Sequence, residues 1–419
     1  MPSNFRARMG HILLWSVISA AFIGPGTVTT AAKAGASEGM ALAWALVFST
    51  LGCLVLQEAA ARLSIAGGKS LGQALTRGRW WVVGAVVFGC MAYEAGNLLG
   101  AYSGLDLVSG VPREVALLLL VGVAAGLLAW GRAANLSKLL GALVLVLGLA
   151  FLLLAFRNPP PAAETLTGML VPSLPEGAGL LVIGLVGTTI VPYNLFLGNG
   201  IGRPEDGLAA MRFGLTISVV LGGVFSLAIM AVATGMPRAF SFENLATYLQ
   251  QEAGAMGPYL LAGGLFVAGL TSSLTAPLAA GLAVRSILPA DRAMRGYHIT
   301  WIIVLAMGLA VGLLKVQVVP VIIMAQALNG FVLPLVAGFL FWAVNQPSLL
   351  GEHTNGRAAN ILFVVVLTVS GYLGLDSLLK ALDGALGTTL RAASATPILL
   401  LAVALLSSLA LAFKVTRRG

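Results

Sequence analysis

Long apolar runs separated by short polar intervals recur along the whole 419-residue chain. Runs fall at about 11–36, 39–63, 80–108, 114–131, 136–156, 178–201, 210–236, 258–288, 298–314, 318–345, 359–374 and 394–413. A helix needs about 20 apolar residues to cross a hydrocarbon core, and most of these runs reach or approach that length. The pattern predicts an all-α integral membrane protein with about 12 transmembrane helices in a single polytopic domain. Between the runs, 157–177 contains Pro159-Pro160-Pro161 and is expected to be stiff and extended rather than helical. Residues 241–253 are expected to form a short helix along the outer surface, and 375–393 form an amphipathic stretch before the last span.

Two of the runs carry a break. In the first, Ile23-Gly24-Pro25-Gly26-Thr27-Val28-Thr29-Thr30 lies mid-span, and 178–201 contains Gly187-Thr188-Thr189-Ile190-Val191-Pro192-Tyr193-Asn194. Proline removes an amide donor and clashes with the preceding turn, while glycine permits non-helical dihedrals. Freed backbone groups at membrane depth are tolerated only where protein or a water-lined cavity satisfies them. Each span is therefore expected to be two half-helices. Two such interrupted segments in corresponding halves mark the binding site of a secondary transporter.

Composition agrees with a membrane protein, at 58% hydrophobic and 9% charged, with mean hydropathy +0.97. The net charge of +9 reflects orientation rather than a nucleic-acid partner. Six basic residues (Arg113, Arg157, Arg238, Lys315, Lys380 and Arg391) fall on one side, 17 on the other, and Lys33 lies inside a span. The positive-inside rule then puts both termini in the cytoplasm of a multi-pass plasma membrane protein, expected to be a prokaryotic inner-membrane one. The charged start before residue 11 is read as a cytoplasmic flank, because the following run is too long and too broken for a secretory signal. Cys53 and Cys90 both lie in apolar runs, so no disulfide framework is expected. No Gly-rich phosphate loop is present, which argues against ATP, and no catalytic residues or bound cofactor are expected. His11, His298 and His353 fall near span ends and form no relay.

At the breaks, half-helices starting near Thr27 and Pro192 present free amides and positive dipole ends. Around them stand Thr27, Thr29, Thr30, Thr188, Thr189, Tyr193 and Asn194, with no carboxylate. Two helix N-termini with hydroxyl donors favour a small oxyanion. The competing reading is that the threonines only bond back to i−4 carbonyls.

Several motifs resemble the Nramp metal-ion transporters: Gly24-Pro25-Gly26-Thr27, Leu56-Gln57-Glu58-Ala59-Ala60-Ala61-Arg62, Gly67-Gly68-Lys69, Lys138-Leu139-Leu140-Gly141 and Gln326…Pro334. The resemblance spans roughly residues 10–360. It implies a LeuT-like fold of five plus five inverted repeats, with repeat one over about 11–156, repeat two over about 178–345 and additional helices over about 359–413. It also locates the departures. The family's metal-site aspartate and asparagine fall on Gly24 and Thr27, and its methionine and histidine on Val191 and Tyr193. A later family histidine falls on Gly198, whereas Pro25, Gly26, Pro192 and Gln326 are kept. No transition-metal site is therefore expected here.

Ala268-Gly269-Leu270-Thr271-Ser272-Ser273 resembles the sodium-site stretch of neurotransmitter:sodium symporters, which share the fold. This implies Na+ held by Ala268, Thr271 and Ser272 with carbonyls of Ala21 and Gly24. Glu94 and Asn97 fall where the family keeps two acidic residues of a proton path, and with Lys33 they are candidates for coupling or gating. Glu58 and Arg62, four apart, suit a packing ion pair, and Asn329 shares a face with Gln326. The expected function is Na+-coupled symport of a small inorganic anion, bicarbonate first, by alternating access. Its contacts would come from Gly24, Pro25, Gly26, Thr27, Thr29, Thr188, Thr189, Pro192, Tyr193, Asn194 and Gln326. The alternatives are a divalent-cation transporter for Mg2+ or Mn2+, a non-transporting sensor or scaffold, and a carrier of a neutral organic solute.

Overall fold

A computed structural model describes residues 24–75, 78–130, 133–201, 207–237, 239–386 and 395–416. All regular structure among them is helical. The first break is followed by α1 (Pro25–Glu38); the expected first half of that span, with Ala21, lies outside the described residues. Then come α2 (Ala43–Ile65), α3 (Arg79–Asp106), α4 (Arg113–Ala129) and α5 (Ala133–Arg157). After α6 (Ala162–Leu170), the second broken span appears as α7 (Gly179–Thr189) and α8 (Pro192–Ile201). The remainder is α9 (Leu208–Ala233), α10 (Phe242–Ala253), α11 (Gly257–Ile287), α12 (Ala290–Leu313), α13 (Val318–Val344), α14 (Arg357–Leu386) and α15 (Thr396–Thr416). Among the described residues, nine helical stretches are long and apolar enough to cross a membrane.

Three expectations change. The interval 157–177 is not wholly extended, because α6 begins directly after Pro161. The three prolines precede the first turn, where a missing amide costs no helical bond. Trp44 Nε1 then donates to the Ser173 carbonyl (2.8 Å) and pins the interval to α2. The amphipathic stretch from 375 continues α14 as far as Leu386, and α12 starts at Ala290, eight residues before the apolar run. Hydropathy marks the buried or lipid-facing part of a helix and not its polar extensions. The short helix expected over 241–253 is present as α10: Ser241 caps it through the Asn244 amide (3.1 Å), and Phe242, Leu245, Ala246 and Leu249 form its buried face.

At the centre, α3 packs against α11, α12 and α13, and α13 packs against α7. Helix α9 covers α1, α2 and α5, while α14 lies between α13 and α15. Small residues permit these approaches, as is usual where lipid leaves helices little hydrophobic drive to associate. Apolar side chains turned outward, such as Leu119 on α4, Ile302 on α12 and Leu406 on α15, are exposed in the way a lipid-facing surface requires.

One charged network closes an end of the bundle. The Glu58–Arg62 pair forms at 3.3 Å, and Glu58 also takes Arg212 at 2.8 Å. Arg62 donates to the His353 carbonyl (2.7 Å) and to Asn355 Oδ1, tying α2 to the segment before α14. Arg62 is 6% exposed, and its truncation would remove charge-assisted bonds to three part-buried or exposed acceptors at once. Arg62→Ala is expected to cost about 2–3 kcal/mol, seen as a lowered melting temperature in detergent. An unchanged melting curve would remove this network from the account.

Candidate functional site

The site begins where the helices stop. Gly24 takes an extended conformation (φ −88°, ψ 174°), and Pro25 opens α1 at its first position. The Gly24 carbonyl accepts the amides of Thr27 (3.1 Å) and Val28 (3.3 Å), so it is engaged in the first turn. On the other repeat, α7 ends at Thr189 and Ile190 closes on the Val186 carbonyl (2.8 Å). Pro192 has no amide, so the Thr188 carbonyl, four residues earlier, receives no helical bond. This break therefore frees carbonyl oxygen as well as exposing an N-terminus.

The two breaks meet. Thr27 Oγ1 and Thr188 Oγ1 lie 3.0 Å apart, both buried. The Gln326 side chain of α13 lies directly against Gly26, where any Cβ would collide with its amide. Tyr93 of α3 faces Thr188 and Gln326, and its ring stands edge-on to Tyr193 at 5.4 Å. Tyr193, at the start of α8, is in turn beside Thr275 and near Glu94.

The helices that meet here, α1, α3, α8, α11 and α13, carry buried polar atoms without hydrogen-bond partners. They are both oxygens of Glu94, both amide atoms of Asn97 and Asn194, Tyr193 OH, Ser272 Oγ, Ser273 Oγ, Gln326 Oε1, Asn329 Nδ2 and Thr30 Oγ1. Each of these residues is buried. A buried polar group left unpaired costs about 1–3 kcal/mol, so such a concentration marks a place built for polar contents.

The expected site residues separate into two kinds. Thr27 and Thr188 meet, Gln326 lies against Gly26, the Ser272 hydroxyl lies beside Gly24, and Asn97 and Tyr193 neighbour Glu94, while Asn194 is buried on α8. Thr29, Thr189 and Thr271 instead donate to the carbonyls of Pro25 (2.7 Å), Leu185 (3.0 Å) and Val267 (2.7 Å). Ala268 is fully buried on α11. Pro25 packs on Gly100 of α3, so its role is at once the break and a close helix contact. Lys33 is half-buried about 12 Å along α1 from Pro25. Sequence reasoning passed over Tyr93, Ser273 and Thr275. The first had a signal: Cys90, Tyr93, Glu94 and Asn97 repeat at i, i+3, i+4, i+7 and share one helix face.

A family model described as "Natural resistance-associated macrophage protein-like" matches residues 16–380. A protein named divalent metal cation transporter MntH from Erwinia tasmaniensis is 29% identical over 383 residues, covering 84% of this chain and 91% of its own. One of the same name from Klebsiella pneumoniae is 28% identical over 395 residues, covering 87% and 93%. A variant of the Eremococcus coleocola manganese transporter superposes with a TM-score of 0.75 at 18% identity, covering 100% of this chain and 96% of that one. A nucleobase-cation-symport-1 family transporter does so at 0.57 and 14%, covering 97% and 92%.

These findings overturn the expectation of a Na+-coupled bicarbonate or other small-anion carrier, since the relatives are named as transporters of metal cations. The anion expectation gave the amides and hydroxyls of the breaks to the cargo, the freed carbonyls to Na+ and Glu94 to coupling or gating. A broken helix also frees carbonyls, here that of Thr188, and a carboxyl group, that of Glu94, is buried on a neighbouring helix. With the LeuT-like fold in place and the family model matched over most of the sequence, the chain belongs to the natural resistance-associated macrophage protein-like family, Nramp.

Proposed function

We propose that this protein is a secondary transporter of a divalent metal cation, carried between the two helix breaks by alternating access. The observation that carries this reading is the junction of the breaks at Thr27–Thr188, surrounded by unpaired buried oxygens. The relatives' names supply the cargo class. Among the described residues, no group of three or more His, Cys, Asp and Glu side chains stands together. Val191 and Tyr193 leave the break without a soft donor. The cation is therefore a hard one, Mg2+ or Mn2+, met by neutral oxygens and keeping part of its hydration shell. The bias of basic residues, 17 against six, orients both termini to the cytoplasm.

Proteoliposomes holding a divalent-sensitive dye test the proposal. Mn2+ or Mg2+ should enter vesicles containing the protein saturably and faster than protein-free vesicles. Equal rates in both, for both ions, would end it.

The Thr27–Thr188 contact gives a further expectation. Because each hydroxyl is the other's partner across the breaks, Thr27→Val and Thr188→Val should be non-additive, with a coupling of about 0.5–3 kcal/mol in stability. A double-mutant cycle on melting in detergent measures this, and strict additivity would mean the breaks are not joined there.

A further inference from the structure

Glu94 is the one carboxylate at 0% exposure among the described residues, and neither of its oxygens has a hydrogen-bond partner. Its stem is covered by Gly308 of α12, which leaves no room there for a Cβ. Its polar neighbours are the Ser273 hydroxyl and the Asn97 amide, both buried and themselves unpartnered. Tyr193 lies near, its hydroxyl also without a hydrogen-bond partner. Among the described residues, no lysine, arginine or histidine forms an ion pair with Glu94.

A carboxylate at membrane depth needs a counter-charge or a proton, because hydrocarbon and packed helix offer no solvation. The Ser273 hydroxyl, the Asn97 amide and the Tyr193 hydroxyl offer neutral oxygens beside one carboxylate, with the buried Cys90 thiol also near, and oxygens of this kind suit a hard divalent cation keeping some of its water. The position fits a path. Pro25 touches α3 at Gly100, and Glu94 lies six residues earlier, about 9 Å along the helix toward its Arg79 end. Tyr193 and Tyr93 bridge that interval to Thr188.

We infer that Glu94, with Asn97 and Ser273, directly ligates the transported divalent cation, forming a station displaced from the helix breaks toward the Arg79 end of α3. This rests on the transport reading above. It gives the carboxylate that Gly24 does not provide, from a different helix.

Mn2+ titration of the purified full-length protein in detergent tests the inference. Wild type should bind Mn2+, Glu94→Asp should retain binding within a few-fold, and Glu94→Gln should weaken it roughly 10- to 100-fold. The melting temperature without metal should not fall in Glu94→Gln, since the neutral amide is near-isosteric with the protonated carboxyl group that it replaces. Unchanged Mn2+ affinity in Glu94→Gln would overturn the inference and leave Glu94 as a protonated or proton-carrying group, with divalent transport untouched. Absence of Mn2+ and Mg2+ binding by wild type would fell the transport reading and this inference with it. If Glu94→Gln does not fold, a hydrophobic carbodiimide on the wild-type protein decides the matter. Mn2+ should slow modification of Glu94 several-fold by mass spectrometry, and equal modification with and without Mn2+ would overturn direct ligation.

Discussion

Gly24→Asp should tighten Mn2+ binding by about tenfold or more. Gly24 already has extended dihedrals that any residue can adopt, and a Cβ there meets only Ser272 Oγ at 3.3 Å and the Gly26 amide nitrogen at 3.9 Å. The new carboxylate would sit at the start of α1, a position where aspartate also caps the helix. It would place a fixed negative charge beside the junction of the breaks, where effective dielectric is low and a doubly charged ion gains most. The variant also separates the two substrate classes sharply, because a carrier of oxyanions would lose binding through like-charge repulsion. Parallel titrations of wild type and variant with Mn2+ measure the shift. Weaker binding in Gly24→Asp would mean that the cargo does not pass this point as a cation.

Gly187→Leu should abolish the folded transporter. A Cβ at Gly187 would run into the carbonyl of Gln326 and the amide nitrogen of Gly330, so α7 and α13 meet backbone to backbone just before the second break. Neither atom belongs to a side chain that can rotate away, and the helices must separate to admit even one methyl. Overpacking of this kind commonly costs about 1–3 kcal/mol for a methylene, and leucine adds three more carbons at the same contact. The expected outcome is loss of monodisperse protein on size-exclusion chromatography in detergent. Gly84→Leu, at a position with open space around it, should elute as wild type. Normal elution of Gly187→Leu would refute the close α7–α13 packing that holds Gln326 at the break.

The second break was legible because Pro192 within an apolar run has few physical meanings, and the structure stops α7 three residues before it. The split between useful and idle threonines was not. Thr27 and Thr29 have the same chemistry two positions apart, and only the helix geometry decides that Thr29 returns to the Pro25 carbonyl while Thr27 reaches Thr188. Partners such as Gln326 on Gly26 lie far apart in the chain, and spacing along one helix cannot reveal them. The α3 stripe could have been found, since its period is helical and Tyr93 sits beside Glu94. The substrate class was not legible because the breaks carry no carboxylate, and nothing in the sequence shows that Glu94 on α3 lies near Tyr193 of the second break. At the periphery, Pro159–Pro161 encouraged an extended reading of all of 157–177, whereas α6 occupies Ala162–Leu170 within it.

Anomalous scattering from Mn2+ in crystals of the wild-type protein tests the central claim most directly. The account predicts a peak in the space bounded by Thr27, Thr188, Gln326 and Glu94. A crystal grown in saturating Mn2+ with no peak there, and an oxyanion against the start of α1 in its place, would contradict it.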